Sequence, residues 1–356
     1  MNKISIGVIT YQTKKGYEQM GYFEELAKVA SSHKIPLFVF SVNDVDVKKG
    51  CIHGLWYASD KDLWERKWSD YPSIVYDHVR YHPTEQFKRY MKLRKSGLMT
   101  FSYTGYSQNK WKVAQYLAAF PDLFSYIPET NLIENTEVVD RFLQKEEAFI
   151  KPINGTGGKG IYLIRKNSDE YFIKGREEQE ESMRKEELEK WVLRLIAKEP
   201  YIIQHRIPIL YDGHPCDTRL LIQKNHQGKW TFTGMGTRIG KKNRIVSNLV
   251  QGADAMRTDL FIKQYLGKPA KSIIEEMVEV GLQIAERLDQ KYGNFVELGL
   301  DIGITPDGTF QLIEVNPKPD RKIFIKTNQI EQFKQAILKP FAYHLYLCKQ
   351  METTSQ

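Results

Sequence analysis

Cysteine is scarce in this chain. Cys51, Cys216 and Cys348 stand far apart and odd in number, which argues against a disulfide framework or a zinc cluster. A reducing compartment, the cytoplasm, is the expected setting. No stretch approaches the roughly 20 uninterrupted apolar residues of a membrane helix. The apolar run at the start, residues 4–9, is too brief for a signal peptide and reads as a first β-strand. Internal repeats and low-complexity linkers are absent. So is any long module of interleaved basic and aromatic residues. Lys48-Lys49 and Lys241-Lys242 are too short to mark a nucleic-acid groove.

What is present describes an ordinary globular chain with a cationic excess. Its 356 residues can hold two or three compact subdomains, and 41% hydrophobic with 27% charged residues is a normal balance. The net charge of +8 is spread along the chain, which suits a phosphate-rich ligand as well as it suits nucleic acid.

Periodicity divides the chain into three regions. Residues 1–105 alternate buried-strand runs (4–9, 37–40 and 73–76) with a helix near Phe23–Ala30, the grammar of a small α/β domain. Residues 106–200 begin with a helix at 109–120, with Val113, Tyr116, Leu117 and Phe120 on one face, then a second at 137–144. A strand at 148–151 and another at 161–164 flank a glycine cluster, and the charged 176–198 segment reads as a helix with one docked face. Residues 201–356 carry strands at 201–204, 217–224 and 230–236, the last two joined by a hairpin turn. A helix at 272–290 presents Ile274, Met277, Val278, Gly281, Ile284, Ala285 and Leu288 inward. Strands at 295–304 and 309–315 close the region across a Thr305-Pro306-Asp307-Gly308 turn.

Several residue sets carry chemistry. Gly155, Gly157 and Gly160 spell G-x-G-x-x-G, but the loop joins two strands, so it is no dinucleotide motif, and it lacks the Gly-Lys-Ser/Thr ending of a P-loop. It reads as a flap whose backbone N–H groups close on phosphates. Protein kinases are excluded because Lys151 precedes the loop and no His-Arg-Asp or Asp-Phe-Gly motif occurs. Glu314 and Asn316 share one strand face, and a hairpin can bring Asp301 beside them, giving hard oxygen donors suited to Mg²⁺. Asp217 and Arg219 share another face; with Arg238 they can neutralise phosphoryl charge, or form a structural ion pair. His78 and His82 lack a third ligand for zinc, and Cys216 lacks a base, so both read as structural. The tryptophans read as core or cleft walls.

The ordered motifs Lys151–Gly160, Ile203–Pro208, Asp217-Thr218-Arg219, Arg238-Ile239-Gly240, Ser247-Asn248-Leu249, Glu297–Asp301 and Glu314–Pro317 resemble the ATP-grasp superfamily. The nearest likeness is to the YheC/YheD-like, endospore coat-associated family, with glutathione synthetase and RimK-type ligases more distant. Gly54–Tyr57 and Val75–Asp77 extend the likeness over nearly the whole chain. It implies α/β and α+β architecture: a pre-ATP-grasp domain at 1–105, an N-terminal grasp subdomain with the flap at 106–200, and a C-terminal grasp subdomain with the Mg²⁺ site at 201–356. It further implies that Lys110 and Lys151 hold ATP phosphates beneath the flap residues Gly155, Thr156, Gly157, Gly158, Lys159 and Gly160. Gln204, His205 and Ile207 would line the adenine hinge, with Asp217 also on the nucleotide side. Related chains often carry Gln-Gly or Glu-Tyr where His205-Arg206 stands, so adenine reading there falls to backbone groups. Arg219, Arg238 and Asn248 would face the γ-phosphate and acceptor, and Asp301, Glu314 and Asn316 would bind Mg²⁺. The implied activity is ligation of a small-molecule or peptide carboxylate to an amine through an acyl phosphate, with spore-coat association. A nucleotide-binding scaffold of a spore layer and a phosphotransferase to a hydroxyl are the alternatives.

Overall fold

Ile6–Ile9 (β1) is buried at every position, as a central parallel strand covered on both faces must be. A small hairpin, Gln12–Thr13 (β2) and Gly16–Tyr17 (β3), leads into the helix Met20–Ser32 (α1) and then Leu37–Phe40 (β4), which pairs in parallel with β1. Val45–Asp46 (β5), Cys51–Ala58 (β6) and Leu63–Asp70 (β7) extend that sheet by antiparallel pairing, and Ile74–Asp77 (β8) joins β1 in parallel on its other side. Helix Glu85–Lys95 (α2) follows, capped by the Thr84 side chain. The computed structural model describes residues 4–82, 84–103, 109–144, 147–155, 159–175, 179–242, 244–245 and 252–354.

The second sheet is antiparallel throughout. It follows the helix Lys110–Ala118 (α3) and orders its strands Glu180–Met183, Glu170–Gly175, Tyr162–Asn167, Ala148–Pro152, Tyr201–His205 and Thr130–Leu132. In chain order these are β9 (Thr130–Leu132), β10 (Ala148–Pro152), β11 (Tyr162–Asn167), β12 (Glu170–Gly175), β13 (Glu180–Met183) and β14 (Tyr201–His205). Helices Thr136–Phe142 (α4) and Lys185–Ile196 (α5) cover one face, and the core of Val139, Phe142, Ile150, Leu188 and Val192 draws only on residues of this unit. The helix expected over 176–198 is therefore shorter. Glu180–Met183 pairs as an edge strand with β12, where its glutamates keep the open edge charged.

The third sheet contains Leu210–Tyr211 (β15), His214–Lys224 (β16), Trp230–Ile239 (β17), Asp254–Met256 (β18), Glu297–Ile304 (β19) and Phe310–Asn316 (β20), ordered β18-β17-β16-β19-β20 with β15 on β16. After a short helix at Thr258–Phe261 (α6), Ala270–Tyr292 (α7) packs across one face. Its buried positions are Ile273, Met277, Val280, Gly281, Ile284, Ala285 and Leu288, so Ile273 and Val280 replace the expected Ile274 and Val278, which are half-buried on the stripe's edge. Gly281 is required: a Cβ there would lie 2.6 Å from Leu220 Cδ2. The short helix Lys322–Lys326 (α8) precedes Ile330–Thr354 (α9), whose Ile337, Phe341, Tyr343 and Cys348 return to the core of the first sheet. No helix among the described residues is long and apolar enough to cross a membrane.

A buried ion pair ties the first sheet to the third. Arg321 Nη2 donates to Glu297 Oε2 at 2.5 Å, the Tyr76 hydroxyl of β8 donates to Glu297 Oε1 at 2.9 Å, and Gln223 Nε2 reaches Glu297 Oε2 at 2.8 Å. Arg321 also lies 3.8 Å from the centre of the Tyr22 ring. Removing one partner from such a pair leaves a buried charge uncompensated, so Arg321→Met is expected to lose about 3–5 kcal/mol of unfolding free energy. Chemical denaturation of Arg321→Met, Glu297→Gln and the double variant checks this. The double variant should lose less than the two singles combined; simple additivity would mean the pair is not coupled.

Candidate functional site

The register of the third sheet sets out the site. Asp217 on β16 faces Arg238 on β17, Arg219 on β16 faces Asp301 on β19, and Asp301 faces Glu314 on β20. Opposed residues on adjacent strands, and residues two apart on one strand, share a face, so all of these side chains project from the side opposite α7. Arg219 grips Asp301 with two donors, Nε to Oδ1 at 2.5 Å and Nη2 to Oδ2 at 3.0 Å. Arg238 pairs with Asp217 and reaches Asp301 Oδ2 at 3.0 Å. Gly299 makes room for this row, because a Cβ there would sit 3.1 Å from Arg219 Cδ and 2.7 Å from Pro319 Cβ.

Across a cavity of roughly 350 Å³, the second sheet contributes Phe149 and Lys151 from β10 and Ile202, Gln204 and His205 from β14. Ile207, Ile209 and Leu312 give part of the wall an apolar surface. Lys110, the first residue of α3, bridges the two sides: its Nζ donates to the Gly155 carbonyl at 2.9 Å and lies 3.3 Å from Glu314 Oε1. Lys151 Nζ donates to Gln204 Oε1 at 2.6 Å, and Gln204 Nε2 passes on to Thr130 Oγ1 at 3.0 Å.

Electrostatics separates these groups by role. Burial works against ionisation of Asp301, but the adjoining Arg219 and Arg238 guanidiniums outweigh it and hold the carboxyl below the ordinary carboxylate range. Burial likewise opposes the Arg238 charge, and Asp217 and Asp301 together raise its proton affinity. Burial dominates at Lys151 and brings its pKa down to about 8, with Glu314 raising it and Lys110 lowering it. Burial pushes the Cys216 thiol up to about 12, which makes it a poor nucleophile.

The sequence-derived candidates sort as follows. Lys110, Lys151, Gly155, Gln204, His205, Ile207, Asp217, Arg219, Arg238, Asp301, Glu314 and Asn316 all line the one cavity. Lys159 and Gly160 do not; Gly160 instead turns at φ +69° against the Tyr201 hydroxyl. Thr156, Gly157, Gly158 and Asn248 lie outside the described residues. The His205 ring stacks on Phe142 at 4.1 Å, and its Nε2 lies 3.4 Å from Glu129. His78 is buried among the Tyr22, Phe23 and Tyr76 rings, and His82 lies against Tyr11. Sequence reasoning missed Arg80, Lys318, Asp320 and Lys322, which extend the wall beyond β20. The signal for Arg80 was its place just past a parallel strand's carboxyl end, where open α/β sheets bind ligands.

Two α+β sheets closing on a charged cavity behind an α/β domain define the ATP-grasp fold. D-cycloserine synthetase DcsG shares it at a TM-score of 0.58 and 14% identity, over 96% of this chain and 99% of that one. The D-alanine-D-alanine ligase from Coxiella burnetii matches at 0.53 and 14% identity, over 99% of each chain. The YheC/D like ATP-grasp family model matches residues 99–347, and the chain belongs to that family. Endospore coat-associated protein YheC of Bacillus subtilis (strain 168) is 28% identical over 333 residues, spanning 90% of this chain and 92% of that protein.

Lys151 gives a pH signature of its own. Its folded pKa lies below the ordinary lysine value of about 10.4, so between pH ~8 and ~10.4 the unfolded chain binds more protons than the folded one. Stability contributed through this group therefore rises with pH across that window. The unfolding free energy of the wild type minus that of Lys151→Met should increase from pH 8 to 10 in denaturant titrations. A flat difference would show that Lys151 titrates as an ordinary surface lysine.

Proposed function

We propose that this chain binds Mg-ATP in the cavity and transfers the γ-phosphoryl group to a carboxylate, which an amine or related nucleophile then attacks. The observation that carries the reading is the charged row of β16, β17, β19 and β20 facing Lys110 and Lys151 across an apolar slot. That arrangement suits a molecule with a flat apolar base at one end and a polyanion at the other. A shared fold with enzymes named as a ligase and a synthetase supports the class of reaction.

The residues also suit a hard divalent cation. Glu314 is half-buried and held only by Lys110 among the described residues, while Asn316 turns its Nδ2 to Asp301 Oδ2 at 3.2 Å and so keeps its amide oxygen for an ion. Magnesium bound by Asp301, Glu314 and Asn316 would neutralise the phosphate oxygens. Lys110 and Lys151 hold the phosphates, and the apolar wall excludes water from them. Arg219 and Arg238, fixed by their carboxylates, meet the charge that spreads onto the transferring oxygens. An acceptor carboxylate oxygen attacks the γ-phosphorus and ADP leaves with the bridging oxygen. The nucleophile then attacks the acyl carbon and inorganic phosphate leaves. No side chain becomes covalently attached; alignment and charge neutralisation supply the catalysis. The free thiols Cys51, Cys216 and Cys348 suit a reducing cytoplasm, and the label of the Bacillus relative extends the proposal to spore-coat association.

Mg-ATP at ~100 times its dissociation constant should raise apparent stability by about 2.7 kcal/mol, visible as a melting shift. Glu314→Gln keeps the side-chain shape but removes a charged ligand, and should lower ATP turnover tenfold or more. Asp259→Asn, at an exposed Arg257 ion pair outside the motifs, should leave turnover unchanged. Equal turnover by both variants would remove Glu314 from the metal site.

The chemical step has its own test. With a suitable carboxylate present, hydroxylamine should trap the activated acyl group as a hydroxamate, and Arg219→Lys should yield less of it because the planar fork is lost. A stable phosphate ester without hydroxamate would mean a hydroxyl acceptor instead.

A further inference from the structure

Lys110 has a fixed root and a free end. It opens α3, where Asn109 caps the helix by accepting from the Lys112 backbone N–H at 3.0 Å. Its own backbone N–H donates to the Ile153 carbonyl at 2.9 Å, which ties the start of the helix to the chain just past β10. The amine sits at the end of a flexible four-carbon stem, so it can change partners without moving the helix. Of its three N–H donors, one goes to the Gly155 carbonyl at 2.9 Å, and Glu314 Oε1 stands 3.3 Å away on the opposite wall.

The oxygens that suit a divalent cation are unequally committed. Asp301 Oδ1 accepts from Arg219 Nε at 2.5 Å, and Oδ2 accepts from Arg219 Nη2 at 3.0 Å and from Asn316 Nδ2 at 3.2 Å. Arg238 Nη2 lies 3.0 Å from the same Oδ2. Two guanidiniums thus hold Asp301. Glu314 has one cation at ion-pair distance among the described residues, and that cation is Lys110. The Glu314 charge acts on Lys151 as well, but Lys151 gives its hydrogen bond to Gln204. Glu314 is therefore the anionic ligand an entering ion can claim most readily, and an ammonium is already beside it.

The two cations do not fit there together. Magnesium at its usual ~2.1 Å from Oε1 would stand within about 5.5 Å of the Lys110 amine. Only 15% of the Lys110 side chain and 30% of Glu314 are exposed, so water and salt screen that repulsion poorly. Phosphate changes the balance. It offers the amine a multiply charged partner inside the cavity, and it brings the ion anionic oxygens of its own.

We propose that Lys110 is a latch on the metal site: its ammonium and the divalent cation compete for Glu314, so the ion binds tightly only with the phosphates that draw the amine away. This rests on the Mg-ATP reading above. Manganese(II) is the probe, because carboxylate sites for magnesium accept it. Its binding to the full chain without nucleotide is read by electron paramagnetic resonance.

The wild type should bind manganese weakly. Lys110→Met and Lys110→Gln, which remove the ammonium, should bind it roughly tenfold or more tightly, since a like charge no longer faces the ion. Lys110→Arg keeps the charge and should stay near the wild type. Adding Glu314→Gln to Lys110→Met should abolish the gain. An ion pair kept only for structure would lower the melting temperature when broken and would not raise metal affinity. The proposal is overturned if neither Lys110→Met nor Lys110→Gln binds manganese more tightly than the wild type. It is overturned equally if Lys110→Arg gains as much, or if the gain survives Glu314→Gln. A gain that appears as expected in a protein whose wild type shows no melting shift with Mg-AMP-PNP would overturn the nucleotide reading and leave the competition at Glu314 standing.

Discussion

The alternating ions of the third sheet, Asp217, Arg238, Asp301 and Arg219, are the constraint on which the site depends. Moving such groups out of water is costly, and each is tolerated because the next strand presents its opposite. Strand register fixes that order: shifting β16 by one residue against β19 would turn Arg219 away from Asp301 and bury apolar Leu220 in its place. The row is therefore self-enforcing. It also leaves Glu314 at its end, joined to Lys110 at 3.3 Å, as the carboxylate least committed to other protein groups.

The two faces of this sheet make opposite demands, and glycine reconciles them at two points. On the apolar face Gly281 lets α7 settle against Leu220 and Ile222. On the charged face Gly299 lets the Arg219 stem lie flat across β19. A methyl group at either position would meet side chains that have nowhere to go, one in the core and one in the site. Packing and chemistry are thus coupled through a backbone only one strand thick.

Much of this was legible in the chain. Period-two alternation put Glu314 with Asn316 and Asp217 with Arg219, and a hairpin could bring Asp301 alongside them. The turn's own register would set Asp301 against Ile313; the β-bulge between Asp301 and Ile302, which leaves no sequence signature, sets it against Glu314 instead. Lys151 ahead of a glycine cluster was equally readable. What escaped were features without a local signature. The β6–β7 hairpin is only partly buried along most of its length, so its Trp, Tyr and His residues show no clean alternation. Glu180–Met183 looked like the start of a helix because an edge strand can be as charged as a helix surface. Arg80, Lys318 and the Glu297–Arg321 pair depend on contacts between residues more than 20 apart, which spacing alone does not encode.

Lys110 touches both walls of the cavity, and the second sheet keeps an apolar core of its own, while the first and third sheets share the packing of α9. Drawing the second sheet away would wet few apolar side chains. The work of parting the walls falls mainly on the polar contacts of Lys110. Salt would ease that parting only weakly, because the ion pair that crosses between the walls, Lys110 with Glu314, is largely buried and is screened less than an exposed pair.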